Sequence, residues 1–483
     1  MAVSADSRQL MSFAGENCHL KHRKNWPSVI LGVSNSFPLS RGNVPEPLKL
    51  LTNRESYGTL LCHPRERSPR LGQRTRTKMS DRIKLRVLFL NRSYWPDSEA
   101  TGQLLTALCE GLADQFDVHV LAGQPNANAS ENEWANVSTR NGVTIHRVKH
   151  TTFPKSNMAL KAVNFLSFVR ACRRQVLTLP TPDVVVFETD PFLLPFVADK
   201  LQKSTGCRMI GYLQDIYPDV AVALKKVSNN WLIRRLRKKM FAIYHRCDAM
   251  VVLSRDMKDL LIEDGISEDK VQIVPNWADT DSIRPIDSDN RFIAAHKLHG
   301  KFVAMYSGNL GLTQRLEDFV EAAALLQDDT EIQFVFVGRG ARREGLIQQV
   351  DSLGLKNVLF LDYQPLEQLA HSLSAADLHL VPLNKDLSRC LMPSKLYGIL
   401  AAGRPYLTTA PEGCELFEIT QQYKVGLTVP PDNPQWIADA IRKAKSDPEQ
   451  LQQMRHQARD LAESRFTRQQ SISAFGKVLT EVV

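Results

Sequence analysis

The sequence predicts an α/β protein of two Rossmann-like, doubly wound domains facing a central cleft. Three observations predict it. Short apolar runs alternate with helical patterns from Lys84 onward, the alternation restarts after a polar linker at 279–290, and 483 residues is too long for one ordinary domain. Short apolar strands alternating with helices are the pattern of parallel sheets covered on both faces.

In the first half, residues 86–90 form a strand that ends in a loop of Asn, Ser, Pro and Gly over 91–102. Leu104, Leu105, Leu108 and Leu112 then recur on one helical face. Strands follow at 118–121 and 143–148, an amphipathic helix at 160–177, a buried strand at 183–187 and another at 208–213. A helix-rich basic stretch runs to Arg246, and strands at 249–253 and 271–274 close the half. Beyond the linker come strands at 302–306, 332–337, 358–361, 378–381 and 406–408, with helices at 316–326 and 342–353. The predicted boundaries are 1–80 for a basic extension, 81–285 and 286–465 for the two domains, and 466–483 for a closing helix that packs back on the first.

Composition removes several classes. The longest apolar segment, 184–198, is interrupted by Glu188, Asp190 and two prolines, short of the roughly 20 residues a spanning helix needs. The eight cysteines show no C-x-x-C pair and no zinc spacing, as expected of isolated thiols in a reducing compartment. The net charge of +9 suggests nucleic acid until it is located: residues 1–80 hold 13 Lys and Arg against 5 Asp and Glu, which accounts for all but one unit. That stretch has no signal-peptide pattern and too many Glu for a transit peptide, and Met79, directly before the first strand, is the expected start of translation.

The candidate chemistry lies on loops at strand ends, where open parallel sheets bind ligands. Tyr306-Ser-Gly308-Asn309-Leu310-Gly311 follows a strand and precedes a helix, so its amides could approach an anion. An ordinary glycine turn would read the same way. Pro393-Ser394-Lys395 offers amides, a hydroxyl and a cation at a helix start, with Ser394 as a cap, and Gly403-x-Pro405 ends that helix. A bland cap explains the Ser and Gly but not the Lys. Residues 93–102 form another pre-helix loop. Glu188, Asp190, Asp215 and Asp219 stand near strand ends, where helix caps and turns compete with catalysis, and Asp190 reads first as a cap. Gly338-Arg-Gly340 lacks the third glycine of a dinucleotide fingerprint, and His296 with His299 lacks a third metal ligand.

Tyr94-x-Pro96 with Thr101-Gly102, Asp215-x-Tyr217-Pro218, Ser254 with Gly265, Asn276-Trp277-x-Asp279, Gly308-Asn309, Gly338-x-Gly340, and Pro393-Ser394-Lys395 with Ala402-Gly403-x-Pro405 occur in one order. From residue 84 onward the chain resembles family 4 of the retaining glycosyltransferases, of GT-B architecture, and in it the bacterial branch of colanic-acid and exopolysaccharide synthesis. The resemblance implies a cytoplasmic transferase at the inner face of the plasma membrane, with an N-terminal acceptor domain and a C-terminal donor domain for a nucleoside-diphosphate sugar. It places Thr101, Gly102, Gly308, Asn309, Gly311, Pro393, Ser394 and Lys395 near the diphosphate, with Gly338, Gly340 and residues 361–365 near the base. Lys395, Glu188 and Asp215 are the catalytic candidates. A saccharide or lipid-linked acceptor is implied, and no cofactor, metal or nucleic acid is expected.

Departures from the family pattern are informative. The usual Arg and Lys after the glycine are Asn309 and Gln314 here, and the acids of Glu-x7-Glu fall at Cys390 and Gly398. Lys395, with Arg315 or Arg389, is the expected substitute for the lost positive charge. Residues 231–247 combine Trp231, Leu232, Ile233, Leu236, Met240 and Phe241 with Arg234, Arg235, Arg237, Lys238 and Lys239, as in a helix on an anionic membrane, or equally a basic helix packed on its domain. The competing readings are a non-catalytic nucleotide-sugar-binding relative and a nucleotide-sugar epimerase, with a nicotinamide-dependent dehydrogenase more distant.

Overall fold

The computed structural model describes residues 84–97, 99–125, 135–153, 158–311 and 314–483. The extension expected at 1–80, with Cys18 and Cys62, lies outside the described residues. Eight strands build the first sheet: β1 (Arg86–Leu90), β2 (Asp117–Gly123), β3 (Val137–Arg140), β4 (Val143–Val148), β5 (Val184–Phe187), β6 (Arg208–Tyr212), β7 (Ala249–Val252) and β8 (Val271–Ile273). Their order is β3-β4-β2-β1-β5-β6-β7-β8, parallel except for the β3–β4 hairpin. That hairpin turns at Asn141 and Gly142, both at positive φ, the geometry a two-residue loop between twisted strands requires. Sequence reading missed β3 because Val-Ser-Thr-Arg on a sheet edge has no apolar run to show.

Six parallel strands build the second sheet: β9 (Phe302–Ser307), β10 (Ile332–Val337), β11 (Val358–Leu361), β12 (Leu378–Val381), β13 (Tyr406–Thr408) and β14 (Gly426–Thr428), in the order β11-β10-β9-β12-β13-β14. The helices are α1 (Ala100–Leu112), α2 (Met158–Gln175), α3 (Pro195–Thr205), α4 (Asp219–Ala223), α5 (Trp231–Tyr244), α6 (Arg255–Glu263), α7 (Arg291–Ala295), α8 (Glu317–Leu325), α9 (Arg343–Ser352), α10 (Leu369–Ser374), α11 (Lys395–Ala401), α12 (Glu415–Tyr423), α13 (Pro434–Ser446), α14 (Pro448–Arg465) and α15 (Arg468–Glu481). The chain runs one way along the first sheet through α1 and the other way through α2, α3 and α5. Right-handed crossovers therefore put α1 on one face and α2, α3 and α5 on the other.

The last helix lies on the first sheet. Phe475 meets Phe89 and Tyr212 at ring-centroid distances of 5.9 and 5.0 Å, and the Ser471 hydroxyl donates to the Pro275 carbonyl at 2.9 Å. A Cβ at Gly111 on α1 would stand 2.3 Å from Ile472, which explains a glycine inside a helix. Thr467 starts α15 with a capping box. The six described cysteines are all free and buried. No helix among the described residues is long and apolar enough to cross a membrane.

The helix read as a membrane face is only partly available for that role. Met240 and Phe241 belong to the core, and the Arg237 guanidinium is held by Asp219 and Asp264. The 3.6-residue period turns these positions inward, so they leave the exposed set.

Candidate active site

In doubly wound sheets the crevice forms where the strand order reverses. Those points lie between β1 and β5 in the first sheet and between β9 and β12 in the second. The loops leaving these four strands carry most of the predicted residues.

At the second switch point, Gly308 directly follows β9 and the connection from β12 leads to Lys395, the first residue of α11. The Lys395 ammonium lies 3.4 Å from the centroid of the Tyr306 ring. Its Nζ is shut off from solvent and has no hydrogen-bond acceptor, although the residue as a whole is half-buried. Burial pushes its pKa well below the ordinary lysine value. Gly308 sits at φ +143°, and a Cβ there would be 3.2 Å from the Lys395 Nζ. The glycine therefore lets the lysine lie directly beneath the loop. The Tyr306 hydroxyl donates to the Asn309 carbonyl at 2.7 Å, which fixes the platform under the cation. His379, in the middle of β12, is also fully buried, and its Nε2–H donates to the Leu373 carbonyl at 2.9 Å; burial lowers its pKa to about 4.

Gly338 and Gly340 have a different explanation from ligand contact. The amides of Gly308 and Leu310 donate to the carbonyls of Val337 and Arg339, both at 2.9 Å, so the β9 and β10 loops continue the sheet beyond its strands. A Cβ at Gly338 would fall 1.9 Å from the Gly308 carbonyl oxygen, and one at Gly340 would fall 2.2 Å from that of Leu310. Gly311 is similarly restricted by the Asn309 side chain. The glycines allow one loop to lie on the other.

At the first switch point, Arg92 follows β1 and reaches across to the β5 loop. Its guanidinium meets Asp190 at 3.2 and 2.8 Å and Glu99 at 2.8 Å. Asp190 is thus an ion-pair partner and not the cap the sequence suggested, because α3 begins only at Pro195. Gly102, in the first turn of α1 beside Thr101, packs on Ser93, whose hydroxyl is 3.0 Å from Asp97; a Cβ at Gly102 would be 2.5 Å from the Ser93 Oγ. Glu188 is 1% exposed, and both its carboxyl oxygens are closed to solvent without a hydrogen-bond partner. Burial, then Asp190, raises its pKa well above the carboxylate range. It faces inward, not toward the opening.

Asp215 joins the two halves. It forms a bridge with Leu391, and the Ile216 amide donates to the Cys390 carbonyl at 2.9 Å. This sets the β6 loop beside the segment leading to Lys395. Asp215 is half-buried, and burial with the nearby Asp190 charge raises its pKa to about 6. Phe192 and Tyr217 stack at 5.1 Å on the neighbouring loops.

Two sequence expectations are corrected, for Ser394 and for the two arginines, and a motif residue, Asn276, is placed. Ser394 has helical dihedrals and makes no capping bond, since a cap needs an extended residue; its hydroxyl is exposed. Arg315 is occupied by Asp318 and Asp432, and Arg389 by Glu263, so neither joins Lys395. Asn276 is bound to Gln214 at 2.9 Å and belongs to the interior. Arg92 is the site residue that sequence reading did not single out; an arginine two residues after a buried strand was the available signal.

Residues 288–461 match the family model described as Glycosyl transferases group 1, and residues 101–282 match Glycosyltransferase Family 4. The chain is 28% identical over 261 residues to WbjE of Pseudomonas aeruginosa, named as a glycosyltransferase, covering 54% of this chain and 65% of that protein. It is 25% identical over 381 residues to WcaI of Escherichia coli K12, named as a colanic acid biosynthesis glycosyl transferase, covering 74% of this chain and 92% of that one. Among solved structures, sucrose-phosphate synthase of Thermosynechococcus elongatus superposes with a TM-score of 0.67 at 17% identity, over 83% of this chain and 99% of that one. Anabaena Alr3699/HepE in complex with UDP-glucose superposes at 0.63 and 15% identity, over 82% of this chain and all (100%) of that one. The architecture they share is GT-B.

Proposed function

We propose that this GT-B glycosyltransferase, with a family 4 domain before a group 1 domain, moves a hexosyl or related sugar with retention from a nucleoside-diphosphate sugar to a saccharide or lipid-linked acceptor in exopolysaccharide or cell-envelope glycan synthesis. The observation that carries the reading is the solvent-shielded, unpartnered Lys395 ammonium beneath Gly308. An uncompensated buried cation is costly, and a diphosphate on the loop above would compensate it. The UDP-glucose held by a protein of this fold supports that donor class.

In this reading the acceptor hydroxyl oxygen bonds to the anomeric carbon on the face from which the phosphate leaves. The carbon–phosphate-oxygen bond breaks, and the hydroxyl proton passes to the departing phosphate. The nucleoside diphosphate is then the second product. Lys395, beneath the loop at Gly308, stabilises its growing negative charge. Asp215, in the β6 loop set beside that segment, orients the acceptor hydroxyl toward that same face. Arg92 keeps Asp190 neutralised, which limits repulsion at Asp215.

The test is a thermal-shift and calorimetric series of the full chain against UDP-, GDP- and dTDP-sugars, followed by NMR of the transferred anomeric centre. Stabilisation by one donor and a product of unchanged anomeric configuration is expected. Stabilisation by none of them, or an inverted product, overturns the reading.

A further inference from the structure

We propose that the stacked rings of Phe192 and Tyr217, beside the Asp215 carboxyl, seat the terminal ring of the acceptor, and that this seat takes a neutral hexopyranoside. Its acceptor role rests on the transferase reading, which it narrows to one class of saccharide. The two rings stand on the loops that leave β5 and β6, parallel neighbours in the first sheet, so both lie at strand carboxyl ends, on the cleft side. Their centroids are 5.1 Å apart and their planes 14° from parallel. Leu194 and Ile216 on the same loops are fully buried, whereas Phe192 and Tyr217 keep part of their surface open. The platform is preformed. The Arg92 amide donates to the Asp190 carbonyl at 2.7 Å, the Leu194 amide to that of Pro191 at 3.0 Å, and the Val220 amide to that of Ile216 at 3.0 Å. The Ile216 amide in turn donates to Cys390, so Tyr217 stands where the first domain meets the segment that leads to Lys395.

Packing on the core beneath explains why the two rings are partly buried, but not why they stay open beside two carboxyls. Burial first, then the charges of Asp215 and Asp190, raise the Tyr217 pKa, so its hydroxyl stays neutral and able to donate. A pyranose ring has the matching division of surface. The C–H groups of one face carry slight positive charge and meet the negative face of an aromatic ring. The hydroxyls around its edge donate to a carboxylate. An alkyl chain would match the rings but set hydrocarbon against the carboxyls, which loses their solvation without replacing it. A uronic acid or phosphosugar would bring its charge beside Asp215, while the Arg92 guanidinium is already held by Asp190 and Glu99. Like charges at that distance repel, so the seat favours a neutral ring. Neither aromatic residue touches Lys395 or the Gly308 loop in any contact described above, so acceptor and donor binding can be measured apart.

The test uses the full chain in two arms. The first, without donor, records saturation-transfer-difference NMR with the methyl glycosides of glucose, galactose and mannose, and with methyl glucuronoside. At least one neutral glycoside should receive saturation, strongest on the C–H groups of one ring face, and the glucuronoside should receive none. Tyr217→Leu and Phe192→Leu keep an apolar side chain on the core but remove the flat face. Each should weaken that binding roughly tenfold or more, and Tyr217→Phe should hold it within about threefold. Circular dichroism and the unfolding midpoint confirm that each variant is folded. The second arm adds the donor selected by the thermal-shift series and follows release of the nucleoside diphosphate. The leucine variants should raise the KM for the same glycoside and leave the donor KM within about twofold, a split that general loosening does not produce. No saturation of any neutral glycoside by wild type overturns the proposal, as does equal binding by the folded leucine variants. Saturation of the glucuronoside equal to that of the neutral rings overturns it too. So does a preference for octyl over methyl glucoside that the leucine variants lose while methyl glucoside still binds, since the rings would then hold a chain. Glycoside binding that depends on both rings, in a chain that no nucleotide sugar stabilises, would sustain the saccharide seat and overturn the transferase reading instead.

Discussion

The Lys395 ammonium rests 3.4 Å above the Tyr306 ring with no acceptor in reach, while Gly308 directly overhead lacks the Cβ that would crowd it. A cation–π contact of this kind is worth about 1–2 kcal/mol, less than the several kcal/mol that burying an ammonium costs. The arrangement is therefore unfavourable for stability until an anion arrives. Lys395→Met should raise the midpoint of thermal unfolding, with a gain of about 1–4 kcal/mol. The same change should weaken nucleoside-diphosphate binding roughly 10- to 150-fold, the worth of one charge-assisted contact. Differential scanning calorimetry and isothermal titration on one sample read both effects. Because burial depresses the lysine pKa, the unfolded chain binds the proton more tightly than the native one. The contribution of this group to stability therefore rises with pH up to the ordinary lysine value near 10.5. Lys395→Met should flatten that rise.

Asp215 supplies a pH dependence in the opposite sense. Its native pKa of about 6 exceeds the unfolded value of 3.8, so the native carboxyl keeps a proton that the unfolded one releases. Its stabilising contribution is full below about pH 4 and is lost as pH rises toward 6. Asp215→Asn should be more stable than wild type by about 1–2 kcal/mol at pH 7.5, allowing for partial exposure, and equal to it at pH 4. If the carboxylate aligns the acceptor, wild-type kcat/KM should fall on the acid side with an apparent pKa near 6. The asparagine variant should lose that limb together with most of its activity.

The doubly wound fold was legible because parallel strands buried on both faces need continuous apolar runs, as in Val184–Phe187 and Ile332–Val337. Strands without such runs escaped: Val137–Arg140 at the sheet edge, and Gly426–Thr428, whose glycine lets it approach Tyr406 closely. In the candidate site, Gly308 and Lys395 were legible as residue types that a turn and a cap do not both need. Their stacking was not, since 87 residues separate them in sequence. Nor was the occupation of Arg315 and Arg389, because a charge is free or paired according to tertiary neighbours such as Glu263. The pairing of Arg92 with Asp190 is of the same kind: each residue was visible, but the reach between adjacent parallel strands was not.

The contact of the β9 and β10 loops gives a sharper expectation than glycine flexibility alone. Gly340→Ala must displace the Leu310 carbonyl, which a Cβ would approach to 2.2 Å, and with it the loop that lies over Lys395. Backbone cannot yield as a side-chain end can, so a stability loss of about 1–3 kcal/mol is expected. Donor affinity should fall by more than that loss explains under conditions where the variant remains fully folded. Gly345→Ala, on the exposed face of α9 with nothing within 4 Å of the new methyl, should stabilise slightly and leave donor binding unchanged. Equal behaviour of the two variants in a titration with nucleoside diphosphate would disprove the loop argument.

Glu188 distinguishes a sealed acid from a working one. Both of its oxygens lack partners, and burial, then the Asp190 charge, pushes its pKa well above the ordinary carboxylate range. Since the native pKa lies above the unfolded 4.5, its contribution to stability declines as pH rises from about 4.5 toward the native value. Glu188→Met, close in volume and without the unpartnered oxygens, should gain about 1–3 kcal/mol at pH 7.5. It should also remove that decline from the pH profile of thermal unfolding. A carboxyl that faces the interior has no route to the acceptor, so kcat and KM should change less than twofold. A large fall in kcat with KM and stability preserved would instead show that Glu188 reaches the cleft during turnover, and would restore the catalytic role its position after β5 first suggested.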